Sequence, residues 1–186
     1  MDAIEALLTR RSPVQLKEPA PAGAALDSIL RAGIHAPDHG KLRPWRFILL
    51  KGEARSRFGE ILAEALRRRE TAAPAPLLEK ERQKPLRAPL IVVVAASPIE
   101  SRKVPDIEQI LAAGAAAQNM QLAAHALGFG ALWRTGAPAY DSYVKETLGL
   151  KHSDSIVGFM YLGTPAAAPP PLPEPDLAQF VRDWNG

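Results

Sequence analysis

Three short segments of this 186-residue sequence carry side chains suited to holding a charged ligand. Arg10-Arg11-Ser12 sets two guanidinium forks beside a hydroxyl. Such forks bind phosphate oxygens bidentately, and a serine O–H adds a neutral donor. Ala36-Pro37-Asp38-His39, with His35 just before it, adds two imidazoles. Trp133-Arg134-Thr135-Gly136 adds a flat indole, a further cation and a glycine. Read together, the segments form parts of a dispersed pocket for a flat, anionic cofactor. Each also has a plain structural reading. Two cations at a helix C-terminus complement the macrodipole. His35 and His39 have the spacing of two zinc ligands on a helix, but Pro37 lies between them and no third ligand is near, so no metal site is expected.

Composition narrows the chemistry. With no cysteine, a thiolate nucleophile, a disulfide framework, an Fe–S cluster and a thiolate zinc site are all excluded. The net charge of +3 is mild and the cations are scattered, apart from Arg67-Arg68-Arg69, which reads as a solvated helix end; nucleic-acid binding has no support. No apolar run approaches the roughly 20 residues of a membrane span, and Asp2 and Glu5 do not suit a signal peptide, so a cytoplasmic protein with no membrane partner is expected. A hydrophobic content of 47% over this length suits one domain, residues 1–186, with 165–186 as a proline-rich arm and terminal helix.

The elements that must position the three segments follow from periodicity. Asp2 caps a first helix, with Ile4, Leu7 and Leu8 on one face and Arg10 and Arg11 in its last turn, and Pro13 forces the exit. Leu26, Ile29 and Leu30 mark a second helix that stops near Ala36, because Pro37 disfavours helical geometry before it. Trp45 to Leu50 predicts a strand central to the sheet, and Glu53 to Arg69 a helix. Leu77 to Arg87 reads as charged, peripheral and mobile. Leu90 to Ala96 is apolar without alternation, which predicts a strand covered on both faces, hence helices on each side of the sheet. Glu108 to Leu127 is apolar nearly all round and rich in small residues, which predicts a buried helix at the centre of the core and of a dimer interface. On it, Asn119, Gln121 and His125 need partners. Gly128-Phe129-Gly130 follows a helix rather than a strand, so it is not a dinucleotide fingerprint. Ala139 to Leu148 predicts one helix and Ser155 to Gly163 a strand. Ala166 to Pro175 must be extended, an arm over a neighbouring surface or a groove ligand. Asp176 then caps a last helix with Leu177, Phe180, Val181 and Trp184 in one stripe, docked on its own subunit or a partner.

The order of Arg-Arg-Ser after an N-terminal helix, an Ala-Pro loop ending in Pro44-Trp45, and a small-residue helix with Gly114 and Asn119 continues with Gly-Phe-Gly and Ile156-Val157-Gly158 to Gly163. This sequence of motifs resembles the FMN-dependent nitroreductase family, in a small bacterial branch, over nearly the whole chain. The resemblance implies an α+β fold: a three-layer α/β/α sandwich with a mixed, mainly antiparallel sheet, in an intertwined homodimer with two flavins at the subunit interface. It implies that Arg10 and Ser12 hold the flavin phosphate, that Arg11 lies along the cofactor, and that His35 and His39 come from the partner subunit. It also implies that Trp133, Arg134, Thr135 and Gly136 pass the isoalloxazine ring with backbone N–H groups near N5 and O4.

The implied activity is electron transfer from NAD(P)H to nitroaromatic, quinone or similar small acceptors by a ping-pong mechanism, with the flavin rather than any side chain carrying the chemistry. A flavin-binding protein for storage or sensing, and a flavin enzyme of the same fold with another substrate, are the alternatives. The chain departs from the family pattern in three places. Lys41 and Arg43 stand where larger relatives carry Asn and Gln. Pro13 and Val14 follow the triplet where many have a cation. No basic residue lies in Ala166 to Pro175.

Overall fold

In a computed structural model, which describes residues 1–168, 173 and 175–186, a five-stranded sheet lies between two helical layers. The strands are β1 (Leu16–Lys17), β2 (Trp45–Lys51), β3 (Leu90–Ala96), β4 (Gly130–Arg134) and β5 (Ser155–Pro165). The helices are α1 (Ala3–Thr9), α2 (Gly23–Ile34), α3 (Glu53–Arg69), α4 (Ala75–Gln83), α5 (Asp106–Ala126), α6 (Ala137–Tyr140) and α7 (Ser142–Thr147).

The longest strand, β5, is the hub. It pairs with β3 on one edge and with β4 over Phe159–Gly163, while β1 takes Thr164 and Pro165. All pairings among the described residues are antiparallel, so the mainly antiparallel sheet expected from the sequence is present. The expectation that Trp45–Leu50 sits centrally is corrected: β2 pairs only with β3 and forms an edge, where Phe47, Ile48 and Leu49 are only partly buried.

Period-two alternation sends successive side chains of each strand to opposite layers. Ile91, Val93, Phe159 and Tyr161 meet Phe58 and Leu62 of α3 on one face. Leu90, Val92, Met160 and Leu162 meet Ile29 of α2 and Met120 of α5 on the other. β3 is buried along its whole length, as its unbroken apolar run requires. On the second face, α2 crosses α5 closely because Gly33 leaves room: a Cβ there would lie 2.9 Å from Phe47 Cζ. Asn119 Nδ2 donates to Ala32 O at 3.1 Å and His125 Nε2 lies 2.9 Å from Thr9 Oγ1, so these two polar groups of α5 have structural partners.

Four further expectations change. α5 buries Ala113, Ala116, Ala117 and Met120 but leaves Leu111 63% exposed, so it is not buried all round within one chain. Ala75–Gln83 is neither peripheral nor loose. α4 packs so tightly on α3 that a Cβ at Gly59 would lie 2.4 Å from Arg82 O. The single helix expected over Ala139–Leu148 is two short ones, divided at Asp141, whose Oδ1 accepts from Val144 N and caps α7. The last helix is only a 3-10 turn, Leu177–Gln179; Asp176 caps it, and Phe180 and Trp184 stay exposed among the described residues of one chain, which leaves a partner as the surface they could meet. Of the expected arm, Pro169 to Leu172 and Glu174 lie outside the described residues. Among the described residues no helix is long and apolar enough to cross a membrane.

Candidate active site

α1 begins where Asp2 Oδ1 accepts from Glu5 N and ends at Thr9, one residue before the triplet. Arg10, the C-cap, already has extended backbone, and its N–H reaches Ala6 O. Its Nη1 donates to Ser12 Oγ at 3.0 Å, so these two side chains present one cation and one hydroxyl as a unit. Arg11 does something different. Its Nη1 donates to Leu8 O and Arg10 O, each at 3.1 Å, which satisfies carbonyls at the helix end, the role the helix-terminus reading gives it. Pro13 is buried against the start of β4, where a Cβ at Gly130 would lie 2.6 Å from Pro13 Cγ; Gly130 thereby fixes the triplet to the sheet.

His35 caps the C-terminus of α2 and lines an apolar groove of about 500 Å³ with Leu7, Asn119 and Leu122. His39 follows in a tight turn in which Gly40, Lys41 and Arg43 all have positive φ. Asp38 Oδ2 holds that turn by accepting from Arg43 N at 2.7 Å. The His39 ring is fixed by Glu108, with Nδ1 2.5 Å from Oε2, and both line a second groove with Leu111 and Ala115. Neither imidazole lines the grouping that Arg134, Thr135 and Gly136 form.

β4 splits its candidates between the two faces of the sheet. Trp133 turns toward α2 and α5, donates from Nε1 to Val157 O at 3.1 Å, and fills the space over Gly158. Its indole is packing. Arg134, Thr135 and Gly136 line a cavity of about 220 Å³ on the other face, with Phe58, Phe159 and Tyr161 among its aromatic walls. Gly136 has φ 101° and ψ −174°, a backbone region essentially restricted to glycine, which turns the chain from β4 into α6 along the cavity.

The same cavity gathers residues that the sequence reading passed over: Arg69, Glu81 and Lys84. Glu81 is 8% exposed. Its Oε1 accepts from Lys84 Nζ, but its Oε2 is buried with no partner. A buried carboxylate oxygen without a donor is costly, and this one belongs to a residue of the cavity wall. Arg69 pairs with Asp141, joining α3 to the cap of α7. Burial pushes the Tyr161 phenol above its ordinary pKa; nearby Arg134 and Arg87 oppose that and Glu81 adds to it. Tyr161 is therefore an O–H donor at neutral pH. The missed signal is on α4, where Glu81 falls four residues after Leu77 and three after Leu78, a carboxylate placed on the apolar face.

Residues 7–164, which include the triplet, the cavity and all five strands but for Pro165 at the end of β5, match the nitroreductase family. The chain is a member of the nitroreductase family. This nitroreductase-family chain is 46% identical over 182 residues to the Escherichia coli (strain K12) protein named "Putative NAD(P)H nitroreductase YdjA", covering 97% of this chain and 98% of that one. Among solved structures, it is similar to a nitroreductase-like family protein from Bacillus cereus, with a TM-score of 0.85 and 25% identity, over 100% of this chain and 97% of the other. A nitroreductase of Desulfovibrio desulfuricans in complex with FMN has a TM-score of 0.74 and 25% identity, covering 98% of each chain. The family is one of oxidoreductases, and the three-layer architecture described above is its fold.

Proposed function

We propose that this nitroreductase-family protein is an FMN-dependent oxidoreductase that takes electrons from NAD(P)H, and that the cavity beside Thr135 and Gly136 receives the flavin ring. The observation that carries this reading is the unpartnered Oε2 of Glu81. The pyrimidine edge of an isoalloxazine offers an N3–H between two carbonyl oxygens. Glu81 supplies an acceptor for that N–H, while Lys84 and the Tyr161 hydroxyl, lining the same cavity, supply donors for carbonyl oxygens. The walls of Phe58 and Phe159 suit a flat ring. Arg10 and Ser12, already held together, would take the phosphate. Arg134, Thr135 and Gly136 would lie along the ring with their main chain.

The chemistry the flavin supplies when bound is two-electron transfer in alternating half-reactions: a hydride received from NAD(P)H, then electrons delivered to a nitroaromatic, quinone or similar small acceptor. The protein's part is to bind, orient and polarise. No side chain in the cavity is required as a general acid, and Tyr161 keeps its proton as a fixed donor.

A homodimer completes the reading. α1, α2 and α5 leave Ile4, Leu7, Leu8, Ile34 and Leu111 exposed on the helical face that carries the His35 and His39 grooves. Exposed apolar residues on three helices suit burial against a second copy. His35 and His39 would then reach the partner's cofactor rather than their own. Sedimentation should show a dimer, and Leu111→Asp should dissociate it with loss of flavin. A folded Leu111→Asp monomer retaining full FMN would refute the arrangement.

The decisive test is whether the purified protein is yellow, which flavin heat releases from it, and whether it oxidises NADH or NADPH faster when a nitroaromatic is added. Tightly held FMN without turnover would instead assign a flavin-carrying protein.

A further inference from the structure

The rim of the cavity holds more positive charge than its own pairs consume. Lys84 is paired with Glu81 and Arg69 with Asp141. The guanidinium groups of Arg134, which lines the cavity, and of Arg87 have no hydrogen bond or ion pair among the described residues, so the three lining cations (Arg69, Lys84, Arg134) together with Arg87 are matched by two carboxylates, Glu81 and Asp141. Arg87 belongs to the same 3-10 turn as Lys84, Lys84–Arg87. Residues three apart eclipse on such a turn, so Arg87 continues the side on which Lys84 meets the cavity. Arg134 lines the cavity from the end of β4. Elements far apart in sequence therefore bring two unpaired cations close enough to Tyr161, a residue of the cavity wall, to act on it electrostatically.

This inference rests on the flavin reading and goes beyond it. We infer that Arg87 and Arg134 form an anion-recognition edge that selects, among molecules entering the cavity, those bearing an additional phosphate or carboxylate. Glu81 already neutralises Lys84, and Asp141 already neutralises Arg69, so the two remaining guanidinium forks are left to recognise an incoming anion bidentately. The same chemistry has two sources in this reaction class: the 2′-phosphate that distinguishes NADPH from NADH, and a carboxylate on the electron acceptor. Because the opening is solvent-exposed, the selection must weaken as salt screens it.

The test uses the full-length, flavin-loaded protein on two arms, at about 20 mM and about 300 mM salt. One arm compares NADP⁺ with NAD⁺ by calorimetric titration, and NADPH with NADH by kcat/KM. The other compares 4-nitrobenzoate with 4-nitrobenzyl alcohol by kcat/KM. At low salt the anionic member of at least one pair should win by about tenfold or more, and the margin should shrink at high salt. Arg87→Ala and Arg134→Ala should each lower that margin, and Arg87→Lys should keep part of it. A margin on the dinucleotide arm alone assigns the edge to the 2′-phosphate; one on the acceptor arm alone assigns it to the carboxylate. Equal behaviour on both arms at low salt, in yellow protein that turns over, overturns the edge and leaves the flavin reading standing. A margin unchanged in both alanine variants also overturns it. Protein that neither binds flavin nor turns over removes both.

Discussion

Glu81 and Lys84 share one short contact that leaves half of the carboxylate unused: Oε1 accepts from Nζ, while Oε2 stays buried without a donor. If that oxygen receives a flavin N3–H, Glu81→Leu should weaken FMN at least about tenfold, because a hydrogen bond to a charged group is worth about 1.5–3 kcal/mol. Glu81→Gln retains an acceptor and should lose less. Fluorescence titration with FMN and with N3-methyl-FMN separates this from a general loss of packing. Wild-type protein that binds the methylated flavin as tightly as FMN would place Oε2 away from N3.

Arg10, held to Ser12 at 3.0 Å, is the cation proposed for the flavin phosphate, while Arg11 is occupied with helix carbonyls. Arg10→Ala should therefore weaken FMN about tenfold or more, with a far smaller effect on riboflavin, which lacks the phosphate. Arg11→Ala should act more on stability than on the FMN-to-riboflavin ratio. Losing both ligands equally in Arg10→Ala would show that Arg10 does not face the phosphate.

Thr135 lies just past the last paired residue of β4, Arg134 opposite Phe159, and before the glycine that turns the chain. Thr135 lines the cavity, and on the proposed reading it acts through its main chain, so Thr135→Ala should keep FMN and most NAD(P)H oxidation. Thr135→Pro removes the N–H and should lower flavin reduction by roughly 10²-fold, the scale seen when a preorganised donor is lost. Stopped-flow reduction of flavin-loaded, dimeric protein reads this directly. Equal damage from alanine and proline would assign the role to the hydroxyl.

Trp133 occupies the space that a side chain at Gly158 would need, with Nε1 2.0 Å from an ideal Cβ there. Gly158→Ala should destabilise by about 1–3 kcal/mol through overpacking. Replacing Trp133 with Phe frees that space but forfeits the bond to Val157 O, at about 1 kcal/mol. In the double variant the two penalties should sum to less than their separate values, as urea unfolding would measure. Strict additivity would mean that Trp133 does not lie over Gly158.

The sequence determined much of this protein through local rules. Asp2 as a cap, Pro37 as a stop, the unbroken apolar run of β3 and the small residues of α5 each act through backbone geometry or burial that neighbouring residues decide. The order of the motifs was enough to identify the family. What only the tertiary structure decided was which side chains share a space. Trp133, Arg134 and Thr135 are consecutive in sequence, yet the strand's alternation turns the indole to α2 and α5 and the guanidinium to the cavity. Leu77–Arg87 read as peripheral and mobile because its charges are dense. Glu81 is nonetheless buried, because α4 lies tight against Gly59 of α3 and its apolar face carries the carboxylate inward. In the same way, β2 reads as a central strand from its composition, but it lies at the sheet's edge because β3 takes one of its sides and no described strand takes the other. Strand order and helix-to-helix approach depend on residues tens of positions apart, and no local pattern encodes them.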